Sequence, residues 1–191
     1  MKGKVLVVGL GNPGPRYAFT RHNAGFLCVE EVARNLGIAF HPHRLKEALV
    51  AEGTFAGRPF LLVKPLSYMN LSGSVVAHFA RAWDAAGEDL WVIHDDMDLF
   101  PGTIRLKRGG GSGGHRGIAS VLAALGEDFA RLRIGIGRPP EGVAVVDWVL
   151  SSPEGEEARI FREGIVRGAQ ALLAVYEIGW EEAMNRFHRR S

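Results

Sequence analysis

The chain has 191 residues, 47% of them hydrophobic and 23% charged, an ordinary globular composition with enough length to bury one sizeable core. Its apolar runs are far shorter than the ~20 residues of a membrane span, and its net charge of +2 is too small to announce a nucleic-acid binder by itself. A single cysteine, Cys28, excludes an internal disulfide, and its neighbours Leu27 and Val29 mark a buried, unreactive thiol.

The residues from Met1 onward run into a strand pattern with no small-residue cleavage site, so no secretory leader is expected and the protein is read as cytoplasmic. The continuous apolar run at residues 4–8 predicts a strand bounded by Gly9 and Gly11. After a polar loop, residues 24–36 place Phe26, Leu27, Val29, Val32, Ala33 and Leu36 at helical spacing and stop at Gly37, a C-terminal cap. Two strands are predicted at 49–55 and 58–64, joined at Gly57 and stopped by Pro65. Asn70 and Ser72 precede a helix over 75–83, and a short buried strand over 90–93 ends in His94-Asp95-Asp96. A strand over 103–107, a glycine-rich loop, a helix over 117–125 and a strand over 131–136 follow, then helices over 154–176 and 181–188. Strands interleaved with helices predict an α/β fold, a single-domain three-layer sandwich with a central mixed β-sheet flanked by helices. Ligands in such sheets bind beyond the carboxyl ends of the strands, where Asn12, Tyr68, Asn70 and Asp95 fall.

Gly9-Leu10-Gly11-Asn12-Pro13-Gly14 fits the dinucleotide fingerprint, but Pro13 and Pro15 oppose the helix that its third glycine must enter. No acidic residue closes a second strand ~20 residues on, since Glu30 and Glu31 fall in the first helix pattern. His22 titrates near neutrality, so its free imidazole can take a proton from water once an orienting carboxylate holds the other nitrogen, and Asp95 at a strand end fits that need. A lone loop histidine bonded to backbone is the bland alternative. His94-Asp95-Asp96-Met97-Asp98 also invites a divalent metal, although extended-chain alternation separates Asp95 from Asp96 and Asp98. Asn12 and Asn70 suit amide reading or oxyanion binding, beside structural roles as turn residue and helix N-cap. Tyr17 and Tyr68 offer rings for stacking on unpaired bases. The glycines at 109–114 offer either backbone N–H groups for a phosphate or a mobile lid. Between Leu99 and Gly126 no acid occurs, while Arg105, Lys107, Arg108 and Arg116 do, with Arg131, Arg133 and Arg138 beyond: the footprint of a localised phosphate contact or of a solvated face.

Four separated segments, Asn12 to Gly25, Tyr68-Met69-Asn70-Leu71-Ser72-Gly73, His94-Asp95-Asp96 and Gly109 to His115, together resemble the bacterial-type peptidyl-tRNA hydrolases along nearly the whole chain. The resemblance implies an α/β enzyme that cleaves the ester between a peptide and the 3′ ribose of tRNA, recycling tRNA from prematurely released peptidyl-tRNA, as a monomer with no metal or other cofactor. It implies that His22 activates water and that Asp95 stabilises the basic form of His22. Asn12 would contact the peptide and separate blocked from free aminoacyl ends. Tyr17, Tyr68 and Asn70 would line the site for the tRNA 3′ end, and Asn70 or a nearby backbone N–H would steady the oxyanion. Lys107 and Arg133 look like a clamp on the 5′-phosphate, with Arg105 beside them. Members of that family commonly carry Asn after the histidine of the glycine-loop motif, whereas this chain has Arg116, which cannot accept a hydrogen bond and is placed with tRNA binding. Two other classes stay open from the residues: a non-catalytic RNA-binding protein on the same scaffold, and a metal-dependent phosphohydrolase using Asp95, Asp96 and Asp98.

Overall fold

Val5, Leu6, Val7 and Val8 are all fully buried, because the strand they form, β1 (Val5–Gly9), lies at the centre of a sheet covered on both faces. The computed structural model describes residues 3–188. Met1 and Lys2, where the chain is read for a leader, and residues 189–191 lie outside the described residues.

Seven strands form one sheet in the order β2-β3-β4-β1-β5-β7-β6. These are β2 (His41–Pro42), β3 (Ala48–Phe55), β4 (Arg58–Pro65), β5 (Gly87–Asp96), β6 (Ile104–Arg108) and β7 (Phe129–Gly135). The inner four, β4, β1, β5 and β7, are parallel, and the others add antiparallel at the edges. Strand alternation divides the core: Val5, Val7, Trp91 and Ile93 face helices α1 (Ala24–Leu36) and α5 (Gly155–Ile178). Leu6, Val8, Leu90 and Val92 face α2 (Ser72–Trp83) and α3 (Arg116–Leu125). The predicted three-layer α/β sandwich with a mixed sheet is the observed fold. A short α4 (Val145–Val149) and a terminal α6 (Trp180–Phe187) complete it, and among the described residues no helix is long and apolar enough to cross a membrane.

Three boundaries differ in ways that bear on chemistry. The strand predicted over 90–93 continues to Asp96, because β7 pairs with it from Trp91 through Asp96; His94 and Asp95 therefore sit on the strand, held by its ladder. The helix predicted from Val75 starts at Ser72, whose hydroxyl donates to the Met69 carbonyl at 2.9 Å. Asn70 is not its N-cap: the cap position is Leu71, without a side-chain bond, and Asn70 lies in a 3₁₀ turn, Met69–Leu71. A second 3₁₀ turn, Arg21–Asn23, carries His22. The two turns, β2 and α4 had no sequence signal, each being shorter than the window in which periodicity shows.

The glycines of the apparent dinucleotide fingerprint serve packing. A Cβ on Gly9 would stand 2.2 Å from the Gly25 carbonyl oxygen, and one on Gly25 would stand 2.3 Å from that of Ile93. Their absence lets the first turn of α1 rest directly on β1 and β5, which fixes where the preceding residue pair, His22 and Asn23, must lie.

Candidate active site

The loop after β1 is closed by amides. Asn12 donates its backbone N–H to Asn23 Oδ1 at 2.8 Å, and Asn23 Nδ2 returns a bond to the Asn12 carbonyl at 3.0 Å. Asn12 Oδ1 accepts the Met69 N–H at 3.1 Å, so the Asn12 side chain keeps its Nδ2 donors for a ligand. Arg21, 4% exposed, braces the same turn against the far end of the chain. It donates to Ser151 Oγ at 2.6 Å and Glu157 at 3.0 Å, and lies 3.5 Å from the Trp148 ring centre.

Helices α1 and α3 lie on opposite faces of the sheet, and the residues just before them meet at one carboxylate. His22 Nδ1 lies 2.9 Å from Asp95 Oδ2 and 3.0 Å from Oδ1, while His115 Nε2 lies 2.8 Å from Oδ1. Asp95 is buried, at 3% exposed. Burial opposes its ionisation, but the charges and hydrogen bonds of His22 and His115 outweigh it and hold its carboxyl well below the usual carboxylate range. For His22, burial disfavours the imidazolium, the Asp95 charge and hydrogen bond favour it more strongly, and Arg116 opposes it; the net pKa is raised.

The two imidazoles are not equivalent. His115 Nδ1 accepts the Ile118 N–H at 3.2 Å as the N-cap of α3, so the nitrogen facing Asp95 is its N–H and both ring nitrogens are occupied. His22 gives Nδ1–H to Asp95 and keeps Nε2, an acceptor, beside the cavity. A third histidine, His94, donates Nδ1–H to the Asp95 carbonyl at 2.8 Å and buries Nε2 without a partner among the described residues. Burial, followed by the charge of His115, holds its pKa down to about 3, so it is neutral at working pH.

A cavity of about 590 Å³ opens over this group. Of the residues singled out in the sequence, Asn12, His22, Tyr68, Asn70, Asp95, Lys107, Arg116 and Arg133 line it, and Tyr17 and Arg105 do not. Tyr17 packs in the loop beneath the Arg16 guanidinium, 5.6 Å from its ring centre. Arg105 lines a smaller neighbouring cavity, where it donates to the His188 carbonyl at 3.3 Å. Tyr68 is 66% exposed, a ring available for stacking. The glycine loop is tethered: the buried Arg131 donates to the carbonyls of Gly110 and Gly111, and the N–H groups of Gly109, Gly114 and His115 are used internally.

Sequence reasoning gave no role to His115, Asn23 or the apolar wall of Met97, Val145, Val146 and Leu150, and it placed Arg131 in the basic stripe, where the structure uses it to tether the glycine loop. His115 had a usable signal, since a polar residue between a glycine run and a helix pattern is an N-cap position. The wall had only the short run 143–146, which periodicity cannot assign.

His22, Asp95 and His115 form a group whose ligand atoms lie within 4.8 Å of one another, as a metal site requires. Their ring nitrogens, however, lie at hydrogen-bond distance from the carboxylate, with N–H groups directed at it, whereas zinc ligands would surround a common point at ~2.0–2.2 Å. Asp96 and Asp98, the other carboxylates of the metal reading, are paired with Arg133 and Arg138. The donor set fits a hydrogen-bonded relay better than a cation.

Residues 6–191 match the model of a family described as peptidyl-tRNA hydrolase. A peptidyl-tRNA hydrolase of Moorella thermoacetica is 50% identical over 186 residues, covering 96% of this chain and 97% of its own. One from Rubrobacter xylanophilus is 49% identical over 184 residues, covering 96% of this chain and 100% of its own. The crystal structure of peptidyl-tRNA hydrolase from Acinetobacter baumannii, 37% identical, superposes with a TM-score of 0.93 over 100% of this chain and 97% of that one.

Proposed function

We propose, for a chain that belongs to the peptidyl-tRNA hydrolase family and hydrolyses peptidyl-tRNA, that His22 is the base that activates water, without a metal. The observation that carries this is the division of labour around Asp95: His115 has both ring nitrogens occupied, while His22 keeps one without a partner among the described residues, at the cavity. Nε2 of His22 takes a proton from water as the oxygen attacks the ester carbonyl. Asp95 stabilises the imidazolium that results, and Asn70 or a nearby N–H steadies the oxyanion. Collapse of the tetrahedral adduct breaks the bond to the ribose oxygen, which takes the proton back from His22.

Recognition divides between the two ends of the tRNA acceptor. Asn12, with its Oδ1 held by Met69, presents N–H donors to a peptide carbonyl, a contact that a free aminoacyl end lacks. Tyr68 and Asn70, and Tyr17 from the adjoining loop, receive the 3′ end. Lys107 and Arg133, with Arg105 and Arg116 near them, receive phosphates. The test is release of N-acetylaminoacyl groups from charged tRNA beside a free aminoacyl-tRNA control. The wild type cleaves only the blocked substrate and Asn12→Ala narrows the difference; an unchanged preference in that variant removes the amide-reading role of Asn12.

A further inference from the structure

In the β6–β7 ladder Arg105 faces Arg133 and Lys107 faces Arg131. Directly opposed residues, and residues two apart on one strand, share a face of the sheet, so four cations stand in a two-by-two block. Like charges so placed repel, and each needs a counterweight. Arg131 uses the carbonyls of Gly110 and Gly111, and Arg105 uses those of Ile104 and His188. Among the described residues the block has one ion pair, Arg133 with Asp96.

The form of that pair is informative. Asp96 Oδ2 accepts from Arg133 Nε at 2.7 Å, while Asp96 Oδ1 accepts the Asp98 N–H at 2.8 Å. The carboxylate is therefore fixed by the turn that follows β5, and it holds the inner nitrogen of the guanidinium. Nη1 and Nη2 of Arg133 have no partner among the described residues, and both side chains line the cavity. A guanidinium pinned at Nε presents its remaining edge as a fork, the shape that grips two phosphate oxygens.

We propose that Asp96 is a positioning residue for substrate recognition: it aims Arg133 so that its terminal nitrogens meet the 5′-phosphate of tRNA. This rests on the reading of Arg133 as a phosphate ligand. Asp96 thereby gains a role that the metal reading of the His94–Asp98 segment did not supply. Asparagine cannot replace it, since the two donors address different carboxylate oxygens and the amide turns one of them into an NH2 donor, whereas glutamate keeps both oxygens and the charge.

The experiment measures KM for N-acetylaminoacyl-tRNA with and without its 5′-phosphate, in wild type, Arg133→Ala, Asp96→Asn and Asp96→Glu, each checked for a native circular dichroism spectrum. The ratio of the two KM values isolates the phosphate contact from any effect on the neighbouring Asp95. In wild type, loss of the phosphate raises KM about tenfold, the scale of one charge-assisted contact. Arg133→Ala lowers the ratio about fivefold, leaving the share of Lys107, Asp96→Asn lowers it about threefold, and Asp96→Glu restores it to within about twofold of wild type. An Asp96→Asn ratio equal to wild type, with the Arg133→Ala ratio collapsed, overturns the aiming role alone. Tighter binding of the phosphorylated substrate by Asp96→Asn overturns it too, by making Asp96 a mask on the charge. An unchanged ratio in Arg133→Ala overturns the phosphate reading and the proposal with it.

Discussion

Asp95 keeps its charge in a buried position because two imidazoles answer it, and the cost of that arrangement falls on His22. The His22 pKa is raised above 6.5, so its base form is depleted as pH falls through a value above 6.5. The acid limb of kcat/KM, which reports the free enzyme, therefore has its midpoint above 6.5. Arg116 opposes protonation of His22, so Arg116→Asn moves that limb to higher pH, and Asp95→Asn moves it lower while reducing the rate. pH profiles of the three proteins check both signs; a limb that stays in place in Arg116→Asn shows that its charge does not reach His22. The His22–Asp95 pair was legible in sequence from residue chemistry and family resemblance. The share of His115 was not, since a histidine that caps a helix and one that orients a carboxylate have the same letter.

The elements matter through how closely they approach. Gly9 and Gly25 let α1 sit on the sheet at a distance no side chain would permit, and α1 carries the turn that holds His22. Gly9→Ala places a Cβ 2.2 Å from the Gly25 carbonyl oxygen, which α1 can relieve only by moving away from Asp95. The expected result is a loss of about 1–3 kcal/mol of stability, the usual cost of overpacking, together with a fall in kcat larger than the rise in KM. Thermal unfolding and steady-state kinetics check it, and a variant with wild-type kcat would show that the approach serves stability alone. Periodicity placed every long helix to within a few residues, because an amphipathic stripe is written locally. It stopped β5 before His94, since the residues that extend that strand are polar and stay extended only because β7 pairs with them. The glycine fingerprint was likewise visible, but its purpose was not: pattern alone does not separate glycines that admit a pyrophosphate from glycines that admit a helix.

Over the whole molecule the net charge of +2 conceals an uneven distribution, with the cations of β6 and β7 gathered beside a cavity that also holds His22 and Asp95. Affinity for tRNA is therefore expected to fall with salt, and Lys107→Ala and Arg133→Ala each reduce the slope of log affinity against log salt by about one. Equal slopes in wild type and both variants would place the tRNA elsewhere. The basic stripe itself was readable, whereas its geometry depended on strand order: β7 inserts between β5 and β6, which no local pattern announces, and only that order opposes Arg105 to Arg133. The central claim is that His22, oriented by Asp95, activates water without a metal. Its most direct test is hydrolysis of N-acetylaminoacyl-tRNA in excess EDTA by wild type and His22→Ala, with tRNA binding measured on both. The account predicts full wild-type turnover in chelator, and a loss of about 10²–10⁴-fold in His22→Ala at unchanged tRNA affinity. Wild-type activity abolished by EDTA, or turnover retained by His22→Ala, would contradict it.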